Sequence, residues 1–446
     1  MTITTYSDAL DFLYSFVDYS LTRNLRYSPD KFNLDRMKQF MQVIGNPHTN
    51  YPIIHVAGTK GKGSTSAMIT SILSEAGYRV GFYSSPHMVK FTERIKIGNE
   101  EISQQQLTSL VNELEKSVMR IGNLTTFEIT TAIALKYFQN MKVDAAVVEV
   151  GMGGRLDATN VVDPVVSVIT SISHDHTKFL GNTLVKIALE KAGIMKENKP
   201  VIIGRQKGKI GEILVKEARQ KKAIPILVQD NYCFSISSHD LFGQKIVIRQ
   251  KFVKNQFRNE KIMPFEAVIP LLGRHQAENA LNAYCAIQTL RDLGFKVPQN
   301  AIRRGFEVVN WPGRFEVIHH KPLIIVDSAH NPDSFRKLRA TIKDYIPNKK
   351  INFLFAASED KAIKKMLEIV KPYVGQLIIT RTSHPRAANI CDILEAAKEL
   401  GYKDIKYGEF DVMISDTLNS TNQSEVIVAA GSIFLAGAIK EIFQNN

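Results

Sequence analysis

Ile53-Ile-His-Val-Ala-Gly-Thr-Lys-Gly-Lys-Gly-Ser-Thr65 decides how this chain is read. Its first five residues form a short, mostly apolar, β-branched run, the pattern of a buried strand. Glycines at 58, 61 and 63 let backbone N–H groups curl around an anion. From Ser64 to Ala76, the residues Met68, Ile69, Ile72, Leu73 and Ala76 share one helical face, and Gly77 is placed to stop the helix. Strand, glycine loop and helix start in succession make a phosphate site, because a helix N-terminus offers unpaired donors and a positive end. Lys62 can reach the terminal phosphates, and Ser64 and Thr65 can offer hydroxyls to phosphate or metal. The spacing differs from the general GxxxxGK[ST] loop, since two residues separate Gly58 from Gly61 and Gly63 separates Lys62 from Ser64. A plain lysine–glycine turn is the competing reading, and the strand before and helix after argue against it.

Outward from this loop, strand-like runs alternate with helical patterns. The runs are Arg79–Tyr83, Ala145–Val150, Val165–Ile172 and Val201–Ile203, and their nearly continuous apolar character predicts a parallel sheet covered on both faces. From about Ile224 to Ile269 short alternating segments such as Lys245-Ile-Val-Ile-Arg249 predict a small antiparallel excursion. Helical periodicity returns at Gln276–Leu290 and Gln299–Val308. Trp311-Pro-Gly-Arg314 reads as a turn, and a second α/β alternation follows with strands at Leu323–Val326, Ile351–Phe355, Gln376–Ile379 and Glu425–Ala429. The expected division is a phosphate-loop α/β domain over 1–309, with the β-rich excursion inside it, and a Rossmann-like domain over 310–446.

Composition fits that division. A chain of 446 residues suggests two or three domains, and 44% hydrophobic with 23% charged residues is ordinary for a globular protein. The net charge of +13 is spread along the chain, and runs such as Lys361-Ala-Ile-Lys-Lys365 look like solvated helix faces. No arginine-rich arm is visible, so an anionic small substrate explains the surplus better than nucleic acid. Cys233, Cys285 and Cys391 are too scattered for a disulfide framework or a CxxC metal site and suit a reducing compartment. The N-terminus Met1–Asp8 lacks a signal-peptide pattern, and no apolar stretch approaches a membrane span. A cytoplasmic monomer acting on small molecules, without nucleic-acid or membrane partners, is expected.

Further motifs carry candidate chemistry. Glu149 ends an apolar strand, where an acid is costly unless it is paired or metal-bound; Arg155 is a candidate partner and magnesium a candidate ligand. Ser84-Ser-Pro-His-Met88 follows the second strand, as a turn or as a serine facing a ligand crevice. His174 and His176 follow the next strand, where either could be a ligand or structural. Lys191, on a helix, would ordinarily be solvated. Arg314 suits a phosphate clamp, and Asp327 and His330 lie just past a strand, where α/β sites gather.

Taken in order, Gly58-Thr-Lys-Gly-Lys-Gly-Ser64, Ser84-Ser-Pro-His87, Val147–Asn160 with its Glu149-Val-Gly-Met-Gly-Gly154, Asp175-His176 before Leu180-Gly181, and Glu190-Lys-Ala-Gly-Ile194 resemble the Mur ligase superfamily in its folylpolyglutamate synthase and dihydrofolate synthase branch. Gly273-Arg-His-Gln-Ala-Glu-Asn279, Trp311-Pro-Gly-Arg-Phe-Glu316 and Asp327-Ser-Ala-His-Asn-Pro332 extend the likeness into the C-terminal half; Thr382–Ala387 and Gly431–Phe434 are weaker matches. Many bacterial members have Asn where this chain has Lys60, and the family usually has Gly at Ser328.

The resemblance implies an ATP-dependent ligase that adds L-glutamate to tetrahydrofolate or its polyglutamates, with dihydropteroate as a second acceptor, through an acyl phosphate. It implies ATP binding by Gly58, Thr59, Lys60, Gly61, Lys62, Gly63, Ser64, Thr65, Asn279, Arg314 and Asp327. Magnesium would fall to Ser85, Glu149, His176 and Lys191, the last as a carbamate formed with carbon dioxide. Catalytic roles would fall to Lys62, Lys191, Asp327 and His330, with the second domain closing over the nucleotide. A ligase with another acceptor, such as a cell-wall precursor, and a phosphate-loop motor or nucleic-acid-binding NTPase are the alternatives; the Val150–Asp157 segment argues against the first, and the loop spacing and the lack of a strand ending in paired acids against the second.

Overall fold

Short, mostly apolar runs rich in Val and Ile are buried on both faces, and they build the centre of each sheet in the computed structural model. It describes residues 3–17, 34–251 and 263–444. Met1 and Thr2 of the N-terminal segment and residues 252–262 of the stretch read as a β excursion lie outside the described residues.

The first sheet has eight strands. They are β1 (Ile53–Ala57), β2 (Val80–Tyr83), β3 (Ile95–Ile97), β4 (Glu100–Glu101), β5 (Ala145–Glu149), β6 (Val166–Ile169), β7 (Pro200–Ile203) and β8 (Ile224–Leu227). The order is β4-β3-β2-β5-β1-β6-β7-β8. Strands β2 through β8 along that row pair in parallel, and β3 and β4 add an antiparallel edge. Every residue of β1, β2, β5, β6 and β7 is buried.

Ile224–Leu227 corrects the sequence reading: it is the last parallel strand of this sheet, in register with Pro200–Ile203, and not part of the excursion. Its residues are half-buried to exposed and include Pro225, which an edge strand tolerates. The excursion itself is a three-stranded sheet of β9 (Tyr232–His239), β10 (Gln244–Gln250) and β11 (Phe265–Ile269), in the order β11-β10-β9.

The second large sheet has β12 (Glu316–His320), β13 (Leu323–Asp327), β14 (Ile351–Phe355), β15 (Val374–Ile379), β16 (Ile405–Tyr407) and β17 (Val426–Ala430). Its order is β12-β13-β17-β14-β15-β16, parallel except for β12. The chain groups into two compact units. One holds Met1–Ser235, Ile246–Val268 and Ala277–Asn310; the other holds Ile236–Lys245, Ile269–Gln276 and Trp311–Asn446.

In the first unit the phosphate-loop helix spans Lys62–Glu75, starting two residues before the apolar stripe suggests. It is buried from Gly63 to Leu73, so it has no solvent face. Helix Gln299–Glu307 lies against it at Gly305, where a Cβ would stand 2.4 Å from the Ile72 Cα, and Ser71 donates to the Gly305 carbonyl at 2.7 Å. The carboxyl ends of β2, β5, β1 and β6, neighbours in the sheet, place Ser84–Ser85, Glu149, the glycine loop and Ser171–His176 along one edge. Ligands of open α/β sheets bind at such an edge.

Candidate active site

The glycine loop is held from both sides. Gly61 takes φ +91°, and a Cβ there would lie 2.1 Å from Asn279 Oδ1. Only glycine admits this approach, and it sets the buried Asn279, on helix Arg274–Asp292, over the loop. On the other side the segment after β6 zips to the loop. The amides of Thr59 and Lys60 donate to Ser171 O at 2.9 and 3.3 Å. Thr170 Oγ1 and Ser171 Oγ donate to Lys60 O at 2.9 and 3.1 Å, and Thr59 Oγ1 donates to Ser173 O while accepting from Ser173 N, each at 3.1 Å. The Lys60 ammonium is turned onto Asp175 Oδ2 at 2.8 Å. Asp175 enters the sequence reading only beside His176, and its pairing with Lys60, 115 positions away, is not foreseen there.

Glu149 is buried at the end of β5, and its Oε1 is 3.8 Å from the Lys62 Nζ. Arg155, the candidate partner from sequence, is instead paired with Glu190 at 2.6 Å. The register Tyr83↔Val148 sets Ser84 level with Glu149, with the half-buried Ser85 one residue further along. His176 is exposed and precedes the short helix Thr177–Leu180, with its amide donating to Asp175 Oδ1 at 3.1 Å. His174 is also exposed.

Lys191 departs from the usual solvated helix lysine: its residue is 4% exposed. Gly154 makes this burial possible, because a Cβ there would stand 2.7 Å from Glu190 O and 3.0 Å from Lys191 Cα. Arg155 N donates to Glu190 O at 2.8 Å and fastens the two segments together. Burial is the main cause that lowers the Lys191 ammonium to about 7, and the charge of Lys62 pushes the same way, against Asp175 and Asp157.

In the second unit, Asp327 and His330 are set by different partners. The buried Asp327 accepts Phe315 N on Oδ2 at 2.8 Å and Ala329 N on Oδ1 at 2.7 Å. It thus joins the end of β13 to the Trp311–Arg314 turn, and burial pushes its carboxyl above the usual range. His330 Nδ1 lies 2.9 Å from Ser328 O. A carbonyl only accepts, so Nδ1 carries the proton and the neutral ring has its lone pair on Nε2. Arg314 is half-buried, donates to Gly313 O at 3.0 Å and lies 5.9 Å from the Trp311 ring.

Oxygen donors beside a phosphate loop suit magnesium, which keeps several waters and takes one or two protein ligands along with phosphates. Glu149 and Ser85 are donors of that kind. Among the described residues no group of three or more His, Cys, Asp or Glu forms a cage that could hold a metal on its own.

Residues 56–287 match the Mur ligase middle domain, and residues 313–433 match the Mur ligase glutamate ligase domain. The dihydrofolate synthase/folylpolyglutamate synthase of Bacillus subtilis is 33% identical over 446 residues, covering 98% of this chain and 99% of the relative. Folylpolyglutamate synthase of Mycobacterium tuberculosis complexed with ADP superposes with a TM-score of 0.86 at 29% identity, covering all of both chains. Escherichia coli FolC in complex with DHPP and ADP superposes with a TM-score of 0.82 at 29% identity, covering 99% of this chain and 98% of that one. The chain belongs to the folylpolyglutamate synthase/dihydrofolate synthase family of Mur ligases. Phosphoryl transfer rests mainly on positioning and charge placement, and here Lys62 begins the buried helix beside Glu149. Lys62→Ala is expected to lower turnover by about 10²–10³-fold or more in a variant that still folds, as its circular dichroism would show. Near-normal turnover in the folded variant would remove Lys62 from phosphate binding.

Proposed function

We propose that this ligase uses ATP to add L-glutamate to tetrahydrofolate and its polyglutamates, and that it also accepts dihydropteroate. The observation that carries this reading is the half-buried Lys62 beside the buried Glu149 at the start of the phosphate-loop helix, in a chain alike along its whole length to enzymes named for these reactions. Purified protein given ATP, magnesium and glutamate should release ADP only when a folate or pteroate is present. Mass analysis of separate incubations with dihydropteroate and tetrahydrofolate should show each acceptor heavier by one glutamyl residue; turnover of neither would reject the assignment. Three free cysteines, with no helix among the described residues able to cross a membrane, support the cytoplasm as its place of action.

In the proposed reaction the acceptor carboxylate attacks the γ-phosphorus of ATP, forming an acyl phosphate and releasing ADP. The glutamate amine then attacks the acyl carbon and expels phosphate. The backbone amides from Gly61 to Ser64 and the Lys62 ammonium hold the phosphates, with Asn279 fixing the loop from above. Glu149, Ser85 and His176 would hold magnesium, which would offset the phosphate charge.

Lys191 is proposed to bear a carbamate. Its unprotonated amine attacks carbon dioxide, an N–C bond forms, and a proton leaves to solvent. Burial favours that amine by bringing its pKa to about 7, and the product anion would replace a cation beside Lys62. Lys191→Ala should lose most activity, and acetate should restore part of it. Protein kept in ¹³C-bicarbonate should show a carbamate carbon signal that Lys191→Ala lacks; no such signal in active protein would refute the modification.

His330 is proposed to orient the glutamate amine and take its proton on Nε2, since the amine is mostly protonated near neutral pH. Asp327, engaged with two backbone amides, supports the turn beside it. In His330→Ala, amide formation should fall further than glutamate-independent ATP–ADP exchange. Equal losses in both steps would remove the special role of this histidine.

A further inference from the structure

A polar chain crosses the core of the first unit behind the phosphate edge. His55 lies in the middle of β1, fully buried, between Val148 of β5 and Ser167 of β6. Its Nε2 is 2.8 Å from Thr159 Oγ1, and that hydroxyl donates to Asp157 Oδ1 at 2.5 Å. Thr159 is fully buried and Asp157 nearly so. The Asp157 carboxylate also accepts Thr159 N on Oδ1 at 3.0 Å and Met152 N on Oδ2 at 2.8 Å. Met152 is the third residue after Glu149, so the far end of the chain grips the turn that Glu149 opens.

Counting protons sets the direction of the chain. Thr159 has one hydroxyl proton and gives it to Asp157, so His55 must donate from Nε2. His55 Nδ1 is then a bare lone pair, and it is a buried atom with no hydrogen-bond partner. An apolar side chain would fill this place without that cost. A polar chain offers instead one fixed geometry between β1, which leads into the phosphate loop, and the turn after β5. None of the three side chains is exposed enough to meet a substrate.

We infer that His55, Thr159 and Asp157 form a positioning relay that fixes the turn after Glu149 against the strand entering the phosphate loop, and so sets how tightly the divalent cation is held with the nucleotide. The inference rests on the reading of Glu149 as a magnesium ligand. The three are positioning residues, acting through Glu149 and the loop.

The full-length protein tests this in two ways. In ¹⁵N-histidine spectra, His55 should show protonated Nε2 and bare Nδ1; the Nδ1-protonated form would overturn the relay. His55→Leu and Thr159→Val should each raise the magnesium concentration for half-maximal ligase rate, and weaken magnesium-dependent ADP binding, about tenfold or more. Turnover at saturating magnesium and ADP binding in EDTA should stay near wild type. His55→Gln, which keeps a donor at a similar reach, should restore the magnesium dependence. Wild-type magnesium dependence in both His55→Leu and Thr159→Val, or an equal loss of ADP binding in EDTA, would overturn the inference. Glu149→Gln separates the two failures: if it leaves the magnesium requirement unchanged, the metal assignment is at fault, whereas a shift in Glu149→Gln alone sinks the relay.

Discussion

Three lysine ammonium groups share the carboxyl edge of the first sheet, and the rest of the site is arranged around holding them there. Lys60 and Lys62 both bear on the charge of the buried Lys191. Like charges in a low dielectric repel strongly, so each needs an answer. Lys60 is answered by Asp175 at 2.8 Å and Lys62 by Glu149 at 3.8 Å. Lys191 is answered in part by ceasing to be a full cation near neutral pH. This edge therefore carries, already assembled, cationic charge of the kind that a triphosphate complements. The close approaches at Gly61 and Gly154 are what let the surrounding segments come near enough.

The division of labour in the second unit follows from counting hydrogen-bond sites. Each oxygen of Asp327 is taken by a backbone amide, so this carboxylate holds the Trp311–Phe315 turn to the end of β13. The ring of His330 takes its orientation from the Ser328 carbonyl. Side chains three apart in sequence are thus fixed by different partners, one by two backbone amides and the other by a backbone carbonyl.

Much of this was legible in the sequence because the phosphate loop compresses its chemistry into consecutive letters. Glycines where a side chain would collide, a lysine at the helix start and a β-branched run before it report their roles without reference to distant residues. The central strands were legible because burial on both faces leaves them mostly apolar, with His55, Glu149 and Ser167 as single exceptions. Ile224–Leu227 was not: Pro225 and partial exposure make an edge strand look like the start of a different texture. The partners of Lys60, Arg155 and His55 were hidden for another reason. They lie 115, 35 and 104 positions away, and pairing across such spans is a property of the sheet order, which no local pattern encodes. Asp157 left a faint sign, since an Asp two residues before the amide it accepts is the ordinary start of a short helix.

The burial of helix Lys62–Glu75 on every side has a consequence for how the nucleotide is met. A helix with a solvent face can fray a turn at a time, and its first amides then wander. This one is enclosed from Gly63 to Leu73, with Gly305 pressed against Ile72, so its turns cannot loosen unless the surrounding unit opens with them. Its amides should exchange with solvent as slowly as those of the central strands. The entropy of arranging the phosphate donors is therefore lost when the chain folds, and it does not have to be lost again each time ATP arrives.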